Sequence, residues 1–172
     1  MITHSPKQTQ AIAAKLAKNL RGGEVIALQG ELGSGKTTFV QGLASALGVR
    51  RATKSPTFVL VQTYQLGLRG PPARYDSRRS ESGGKTRDCQ PKTLCHVDAY
   101  RLNNNTDQGD LGLRDCMGQK DTVTVIEWPE RINNILPKKT IWIRFAHGKK
   151  ENERMIEMKH HGLTPVVWRI KK

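Results

Sequence analysis

Eight consecutive residues carry the clearest chemical signal in the chain: Gly30-Glu31-Leu32-Gly33-Ser34-Gly35-Lys36-Thr37. They match G-x-x-x-x-G-K-[ST] at every fixed position. Glycines let main-chain N–H groups approach phosphate oxygens, and a helix that begins at the lysine adds a partial positive charge. The pattern therefore predicts a site for the phosphates of a nucleoside triphosphate, with a plain structural glycine turn as the alternative.

The loop pattern assigns a role to each of its polar members. Lys36 is expected to contact the β- and γ-phosphates, and the Thr37 hydroxyl to bind Mg²⁺. Thr38, the next residue along, is expected to reach the α-phosphate. The Asn-Lys-x-Asp pattern that specifies guanine is absent, so the base is predicted to be adenine and the nucleotide ATP. Further phosphate contacts are predicted from Gly33, Ser34 and Gly35.

Two acids lie where further ligands are needed. Asp98 follows a predicted strand at residues 94–97, and Glu127 follows another at residues 123–126. In an open α/β sheet, ligands bind beyond the carboxyl ends of the strands. Each acid is expected to contact Mg²⁺ through a water or to orient the attacking water, with a helix cap or a solvated group as the alternative. The candidate catalytic residues are Lys36, Asp98 and Glu127.

Three more residues have a candidate role or location. Thr57, within Ser55-Pro56-Thr57-Phe58, lies where other phosphate-loop enzymes have nucleotide-responsive switch segments. A plain turn at the start of a strand is the alternative. Trp128 follows Glu127, and it is predicted either beside the nucleotide or in the core. His96 is expected to face the core or a partner rather than a metal.

The elements around these residues alternate between helices and strands. Apolar residues spaced by four, after a Ser5-Pro6-Lys7-Gln8 capping pattern, predict a helix over residues 5–20 that Gly22-Gly23 ends. A second helix is predicted at 36–47. This order predicts an α/β domain over residues 1–172. The predicted strands are 24–29, 57–64, 94–97, 123–126, 140–145, 155–159 and 165–170.

The composition indicates one soluble, intracellular domain. A chain of 172 residues with 36% hydrophobic residues can bury a core. No apolar stretch approaches the roughly 18 residues that span a bilayer, so no membrane partner is expected. Three cysteines without CxxC spacing disfavour a disulfide framework or a zinc site and favour the cytoplasm. The net charge of +14 favours either an RNA partner or basic residues collected on solvated loops.

Residues 67–93 differ in composition from the rest of the chain. They contain four Gly, three Pro and three Ser, and seven Lys or Arg against three Asp or Glu. A segment this polar cannot offset its ordering entropy by burial, so it is predicted to be a disordered basic insertion. An inert spacer is one interpretation. The other is a contact to tRNA or to an acidic partner through Arg69, Arg74, Arg78, Arg79 and Arg87.

Four segments together resemble the TsaE family, the small ATPases of bacterial tRNA threonylcarbamoyladenosine synthesis. They are, in the family's order, residues 30–39 (GELGSGKTTF), 55–58 (SPTF), 96–102 (HVDAYRL) and 127–130 (EWPE). The resemblance implies a P-loop NTPase-like fold with a central mixed, mainly parallel sheet flanked by helices. It also implies an ATPase that uses Mg-ATP and docks on a TsaB–TsaD complex, which transfers the threonylcarbamoyl group onto tRNA.

The resemblance further implies roles for individual residues. Lys36 and Thr37 would contact phosphate and metal, Glu127 would bind Mg²⁺, and Asp98 would assist the metal or the water. Contact with tRNA would be indirect or through the basic insertion. The insertion at 67–93 and the strongly basic charge depart from the family's pattern.

Two other functions would use the same loop. A small-molecule kinase transfers the γ-phosphate to an acceptor, so the release of phosphate without an acceptor distinguishes a hydrolase from it. An RNA-binding protein whose nucleotide site only switches conformation would bind RNA tightly, in a salt-sensitive manner and with negligible turnover.

Overall fold

The computed structural model describes residues 1–49, 61–67, 91–102 and 113–160, the last residue by its backbone only. Its elements are β1 (Ile2–Thr3), α1 (Pro6–Ala17), β2 (Val25–Gln29), α2 (Lys36–Leu47), β3 (Val61–Gln65), β4 (Thr93–Asp98), α3 (Leu113–Cys116), β5 (Thr122–Glu127), β6 (Ile141–His147) and β7 (Arg154–His160). Two 3₁₀ turns, Pro129–Arg131 and Asn133–Ile135, follow β5.

Within the described residues, seven strands form one mixed sheet in the order β1-β7-β6-β2-β5-β4-β3. The four central strands, β6, β2, β5 and β4, run parallel to one another. The outer strands β1, β7 and β3 join them in antiparallel pairs. The predicted α/β class with a mixed sheet flanked by helices is therefore confirmed. The parallel strands are the four central ones.

The central strands are covered on both faces. On one face, α1 and α2 form an apolar cluster with β2, β5 and β6 that includes Leu16 and Phe39. On the other, α3 and the 3₁₀ turns form a second cluster that includes Leu113 and Ile132. Parallel strands buried on both faces have continuous apolar sequences, as Val25–Gln29 has. This burial fixes the carboxyl ends of β2 and β5, where the predicted site lies.

Both ends of α1 differ in detail from the prediction. The Ser5 hydroxyl accepts a hydrogen bond from the Gln8 amide at 3.3 Å, as a cap should. The Gln8 side chain, however, accepts from the His4 amide at 2.7 Å, so the capping box is displaced by one residue. The helix ends at Ala17, after which the Leu20 amide donates three residues back, to Ala17. Leu20 is still buried. The apolar spacing that predicted a helix up to residue 20 therefore indicated the burial correctly, but not the helical hydrogen bonding.

The register of the parallel strands brings the predicted acids to one edge. Asp98, at the end of β4, is paired with Glu127, at the end of β5. Glu127 is paired in turn with Leu28 of β2, two residues before the glycine loop begins at Gly30. The loop and both acids therefore share the carboxyl edge of the sheet, as the rule for open α/β sheets predicts.

The pairing of β3 with β4 continues past the ends of these strands. The Leu66 amide donates to the Lys92 carbonyl oxygen at 2.7 Å, one step beyond the pair formed by Gln65 and Thr93. The described ends of the predicted insertion therefore lie side by side.

Most of the other predicted strands are present with ends shifted by one or two residues. These are the strands predicted at 24–29, 94–97, 123–126, 140–145 and 155–159. The strand predicted at 165–170, Thr57 with its neighbours, and residues 68–90 of the insertion lie outside the described residues. No helix in the described part of the chain is long and apolar enough to cross a membrane.

Candidate functional site

The glycine loop connects β2 to α2 through unusual backbone conformations. Gly33 and Gly35 have φ values of 73° and 102°, which side-chain-bearing residues rarely adopt. Ser34 is fully buried, and its Oγ has no hydrogen-bond partner within the described residues. Lys36 starts α2, and no side chain caps this helix. The first N–H groups of α2 are thus not capped, which is the usual arrangement where an anion binds.

Lys36 is folded back over the loop. Its ammonium group donates to the carbonyl oxygens of Gly30 at 2.7 Å and Glu31 at 2.8 Å, and the side chain is nearly buried. Burial lowers the pKa of Lys36, and this effect outweighs the opposite effect of three nearby carboxylates: Glu127, Glu130 and Asp98. The cation therefore lies among loop carbonyls and beside acids, in a position to exchange these acceptors for phosphate oxygens.

Thr37 and Glu127 meet although they are 90 residues apart in the chain. The Thr37 hydroxyl lies 2.9 Å from Oε2 and 3.2 Å from Oε1 of the carboxylate, and it donates to them. Glu127 is 2% exposed. The first turn of α2 and the end of β5 thus place a hydroxyl and a carboxylate in direct contact.

Asp98 lies beside this pair and is nearly buried rather than solvated. Its Oδ1 accepts a hydrogen bond from the Tyr100 amide at 3.1 Å, which orders the turn after β4. The acid therefore has a local structural role in addition to its place at the carboxyl edge.

Trp128 has a strained backbone and covers the lysine. It is the one non-glycine residue with positive φ in the described part of the chain (φ 60°). The following Pro129 disfavours the right-handed helical conformation at Trp128, and the left-handed one costs about 1–2 kcal/mol. The indole ring lies 4.0 Å from Lys36 Nζ, and the Tyr100 ring packs on it at 4.9 Å. Trp128 thus lies at the loop and contacts its lysine. The two predicted locations were beside the nucleotide and in the core.

Two contacts to the loop were not predicted. His147, at the end of β6, has Nε2 3.2 Å from the Leu32 carbonyl oxygen. Arg154, at the start of β7, donates from Nε to the Gly33 carbonyl oxygen at 3.1 Å. These partners are 115 and 121 residues apart, and no local pattern marks them. The available signal was only that basic residues flank the turn between two predicted strands.

The predicted site residues fall into three groups. Thr38 lies on α2 next to Thr37 and is half-buried. Thr57 lies outside the described residues. The structure brings together the remaining ones: Gly33, Ser34, Gly35, Lys36, Thr37, Asp98, Glu127 and Trp128.

The polar groups at this edge are hard oxygen donors. A hydroxyl and two carboxylates are the donor types that Mg²⁺ prefers, and Mg²⁺ usually keeps waters and takes phosphate oxygens besides one or two carboxylates. Across the described ranges, no group of three or more His, Cys, Asp or Glu side chains could hold a metal alone. The hydroxyl and the two carboxylates are therefore of the donor types that suit Mg²⁺.

A glycine loop between a parallel strand and a helix, with acids at the ends of neighbouring strands, defines a P-loop NTPase-like α/β fold. The crystal structure of YdiB from Bacillus subtilis is similar, with a TM-score of 0.63 and 27% identity, over 94% of this chain and 84% of that one. The model of the family described as "Threonylcarbamoyl adenosine biosynthesis protein TsaE" matches residues 3–156. The chain belongs to the TsaE family.

Relatives named tRNA threonylcarbamoyladenosine biosynthesis protein TsaE are similar over most of their length. The Treponema pallidum protein is 33% identical over 153 residues, which are 87% of this chain and 95% of that protein. The Bacillus subtilis protein is 32% identical over 141 residues, 82% and 73% of the two chains. The resemblance based on four short segments is thus confirmed, and it places the chain in a family of tRNA threonylcarbamoyladenosine biosynthesis.

Proposed function

We propose that this chain binds Mg-ATP, hydrolyses it to ADP and phosphate, and thereby supports a TsaB–TsaD complex in the threonylcarbamoyladenosine modification of tRNA. The observation that carries the proposal is the 2.9 Å contact between Thr37 Oγ1 and Glu127 beside the buried Lys36. A hydroxyl at the start of the loop helix and an acid at a strand end are the groups that hold Mg²⁺ in P-loop NTPases. The family's named process supports the tRNA part of the proposal.

In this proposal the phosphates bind at the start of α2. The uncapped amides of the first turn donate to phosphate oxygens, together with the loop backbone from Gly33 to Gly35. Lys36 exchanges the carbonyls of Gly30 and Glu31 for β- and γ-phosphate oxygens, because a bond between two charged groups is the stronger one. Thr38 contacts the α-phosphate, and the base is adenine.

Thr37, Glu127 and Asp98 would hold Mg²⁺. When bound, Mg²⁺ neutralises phosphate charge and orients the transferring group. The Thr37 hydroxyl, which donates to Glu127 in the free protein, then offers its oxygen to the cation. Both carboxylates are nearly buried, so their charge is little screened by water.

Hydrolysis requires a water in line with the γ-phosphate. In the proposed reaction the water oxygen forms a bond to the γ-phosphorus, and the bond from this phosphorus to the β–γ bridging oxygen breaks. A carboxylate, Asp98 or Glu127, orients the water. One proton of this water stays on the phosphate product, and the other is released to solvent. Lys36 stabilises the negative charge that spreads over the phosphoryl oxygens.

Phosphate release from ATP without any acceptor tests the proposal. We expect release that requires Mg²⁺, stops in EDTA and increases when purified TsaB and TsaD are added. Formation of ADP only with an added acceptor, and without free phosphate, would instead identify a kinase. Negligible turnover, together with tight and salt-sensitive RNA binding by the chain alone, would identify an RNA-binding switch.

A matched pair of variants links this activity to the observed contact. Thr37→Val keeps the shape of the side chain and removes its hydroxyl, so Mg²⁺-dependent release is expected to be lost. Thr37→Ser keeps the hydroxyl and is expected to retain most of the activity. Co-purification with TsaB and TsaD in ATP and in ADP tests the partner part, with retention that depends on the nucleotide as the expected result.

A further inference from the structure

His96 lies deep in the sheet, directly behind the acids. Leu94, two residues before it, belongs to the cluster formed with α1 and α2, so the alternation of β4 places His96 and Asp98 on that same face. His96 is paired with Val125, which makes Glu127 its diagonal neighbour on β5. The side chain is fully buried, and its Nε2 lies 3.0 Å from Glu127 Oε1.

The ring has an energetic cost that an apolar residue would not have. Its Nδ1 is buried and has no hydrogen-bond partner within the described residues. A buried polar atom without a partner destabilises the folded protein. Leucine has a similar size and would avoid this cost. The specific contribution of a histidine at this position is therefore the bond from Nε2 to the carboxylate.

The two partners of Glu127 differ in what they do to its oxygens. Thr37 Oγ1 is within hydrogen-bonding distance of both, whereas His96 bonds Oε1. If the Thr37 oxygen turns to a cation, the His96 bond is retained and still restrains the carboxylate. Oε2, the oxygen nearer to Thr37, then remains available.

We infer that His96 is a positioning residue, whose Nε2–H fixes the Glu127 carboxylate so that Oε2 is presented to the metal. This inference rests on the proposed Mg-ATP function. It assigns His96 to Mg²⁺ affinity and not to phosphate binding, because among the described residues no hydrogen bond joins it to the loop amides or to Lys36. Loss of such an outer hydrogen bond lowers metal affinity by about 10–100-fold.

The test measures binding of a non-hydrolysable ATP analogue by calorimetry, in EDTA and over a series of Mg²⁺ concentrations. His96→Leu removes the donor and keeps the volume, whereas His96→Gln places an amide N–H near the position of Nε2. Thr124→Val is the matched control. It removes a buried hydroxyl bond, to the Cys116 carbonyl, on the other face of the sheet.

The Mg²⁺ concentration at half-saturation is expected to rise about 10–100-fold in His96→Leu, with affinity in EDTA within about twofold of wild type. His96→Gln is expected to restore most of the Mg²⁺ response, and Thr124→Val to leave it unchanged. Thermal unfolding monitored by circular dichroism confirms that each variant is folded. If His96→Leu does not fold, His96→Asn replaces it, because its shorter amide does not reach Glu127.

Three results would overturn the inference. They are an unchanged Mg²⁺ half-saturation in the donor-less variant, equal losses with and without Mg²⁺, and a His96→Gln variant as weak as the donor-less one. If the wild-type protein binds the analogue equally well with and without Mg²⁺, this result contradicts the proposed function itself. It can be measured before any variant is made.

Discussion

The glycine loop is contacted by hydrogen bonds from an inner side and from an outer side. On the inner side, Lys36 donates to loop carbonyls at 2.7 and 2.8 Å and is 4% exposed. On the outer side, His147 and Arg154 bond the carbonyls of Leu32 and Gly33 at 3.2 and 3.1 Å, and these bonds are exposed to solvent. The two sides therefore differ in the length of their hydrogen bonds and in their access to water.

This difference determines what each contact contributes. Water can replace an exposed hydrogen bond, so its net contribution is small. A buried charge has no such substitute, and its loss leaves neighbouring groups without a partner. We therefore expect the inner side to control the proposed phosphate chemistry and the outer side to affect mainly the shape of the loop.

The largest effect is expected from Lys36→Ala, which removes the inner cation. ATP hydrolysis should fall by about 10²–10³-fold or more, because a charged contact to the transferring phosphate is lost. Phosphate release and nucleotide affinity measure this. Lys18→Ala, at the exposed C-cap of α1, is the control and should behave as wild type. Hydrolysis at the wild-type rate in Lys36→Ala would contradict the importance of the inner side.

Glu127→Gln removes an inner charge and keeps the side-chain volume. Mg²⁺-dependent hydrolysis should fall about a hundredfold, since a proposed metal ligand worth several kcal/mol is weakened. The free protein should unfold at a lower temperature, because Thr37, His96 and Lys36 lose their charged buried partner. The exposed Glu157→Gln, on β7, is the matched control. An equal or higher unfolding temperature in Glu127→Gln would show that the charge does not stabilise the fold.

Gly30→Ala tests whether the loop also depends on close packing against β6, in addition to the polar bonds of its two sides. With φ at 151°, an added Cβ would lie 2.9 Å from Ser34 Oγ and against the Phe145 carbonyl oxygen of β6. We expect the free energy of unfolding in urea to fall by about 1–3 kcal/mol. Gly118→Ala, at φ 79° with no atom within 4 Å of the new Cβ, isolates the effect of φ alone. Equal losses in both variants would argue against close packing.

The smallest effect is expected from Arg154→Ala. Its bond to Gly33 is exposed, so ATP affinity should change by no more than about threefold and stability by less than about 1 kcal/mol. Calorimetry and urea unfolding measure both quantities. A loss of ATP affinity comparable to that of Lys36→Ala would show that Arg154 also acts on phosphate. The inner and outer sides would then not differ in function.

The parts of the fold and site that could be predicted are those encoded by neighbouring residues. Glycine and lysine spacing located the loop, and the helical period gave α2 its observed bounds, Lys36–Leu47. Asp98 and Glu127 were predicted to lie together because both end apolar strands, and parallel strands share an edge. Their roles in metal or water binding stay predictions.

The remaining contacts depend on tertiary structure. The bond of His96 to Glu127 requires that β4 and β5 be adjacent and in one particular register, which a strand pattern does not specify. His147 and Arg154 reach the loop only because β6 pairs with β2. The position of Trp128 over Lys36 follows from the left-handed backbone conformation of Trp128 itself. No local signal encodes which strands pair.

The hydrogen bond between Leu66 and Lys92 makes the basic segment between them removable by design. Because the two backbones already meet there, a tight Asn-Gly reverse turn can join β3 to β4 without disturbing the sheet edge. In such a shortened protein, the contribution of the segment's arginines could be measured separately from the proposed ATP hydrolysis. An unchanged salt dependence of tRNA modification in that protein would mean that the segment does not contribute to this activity.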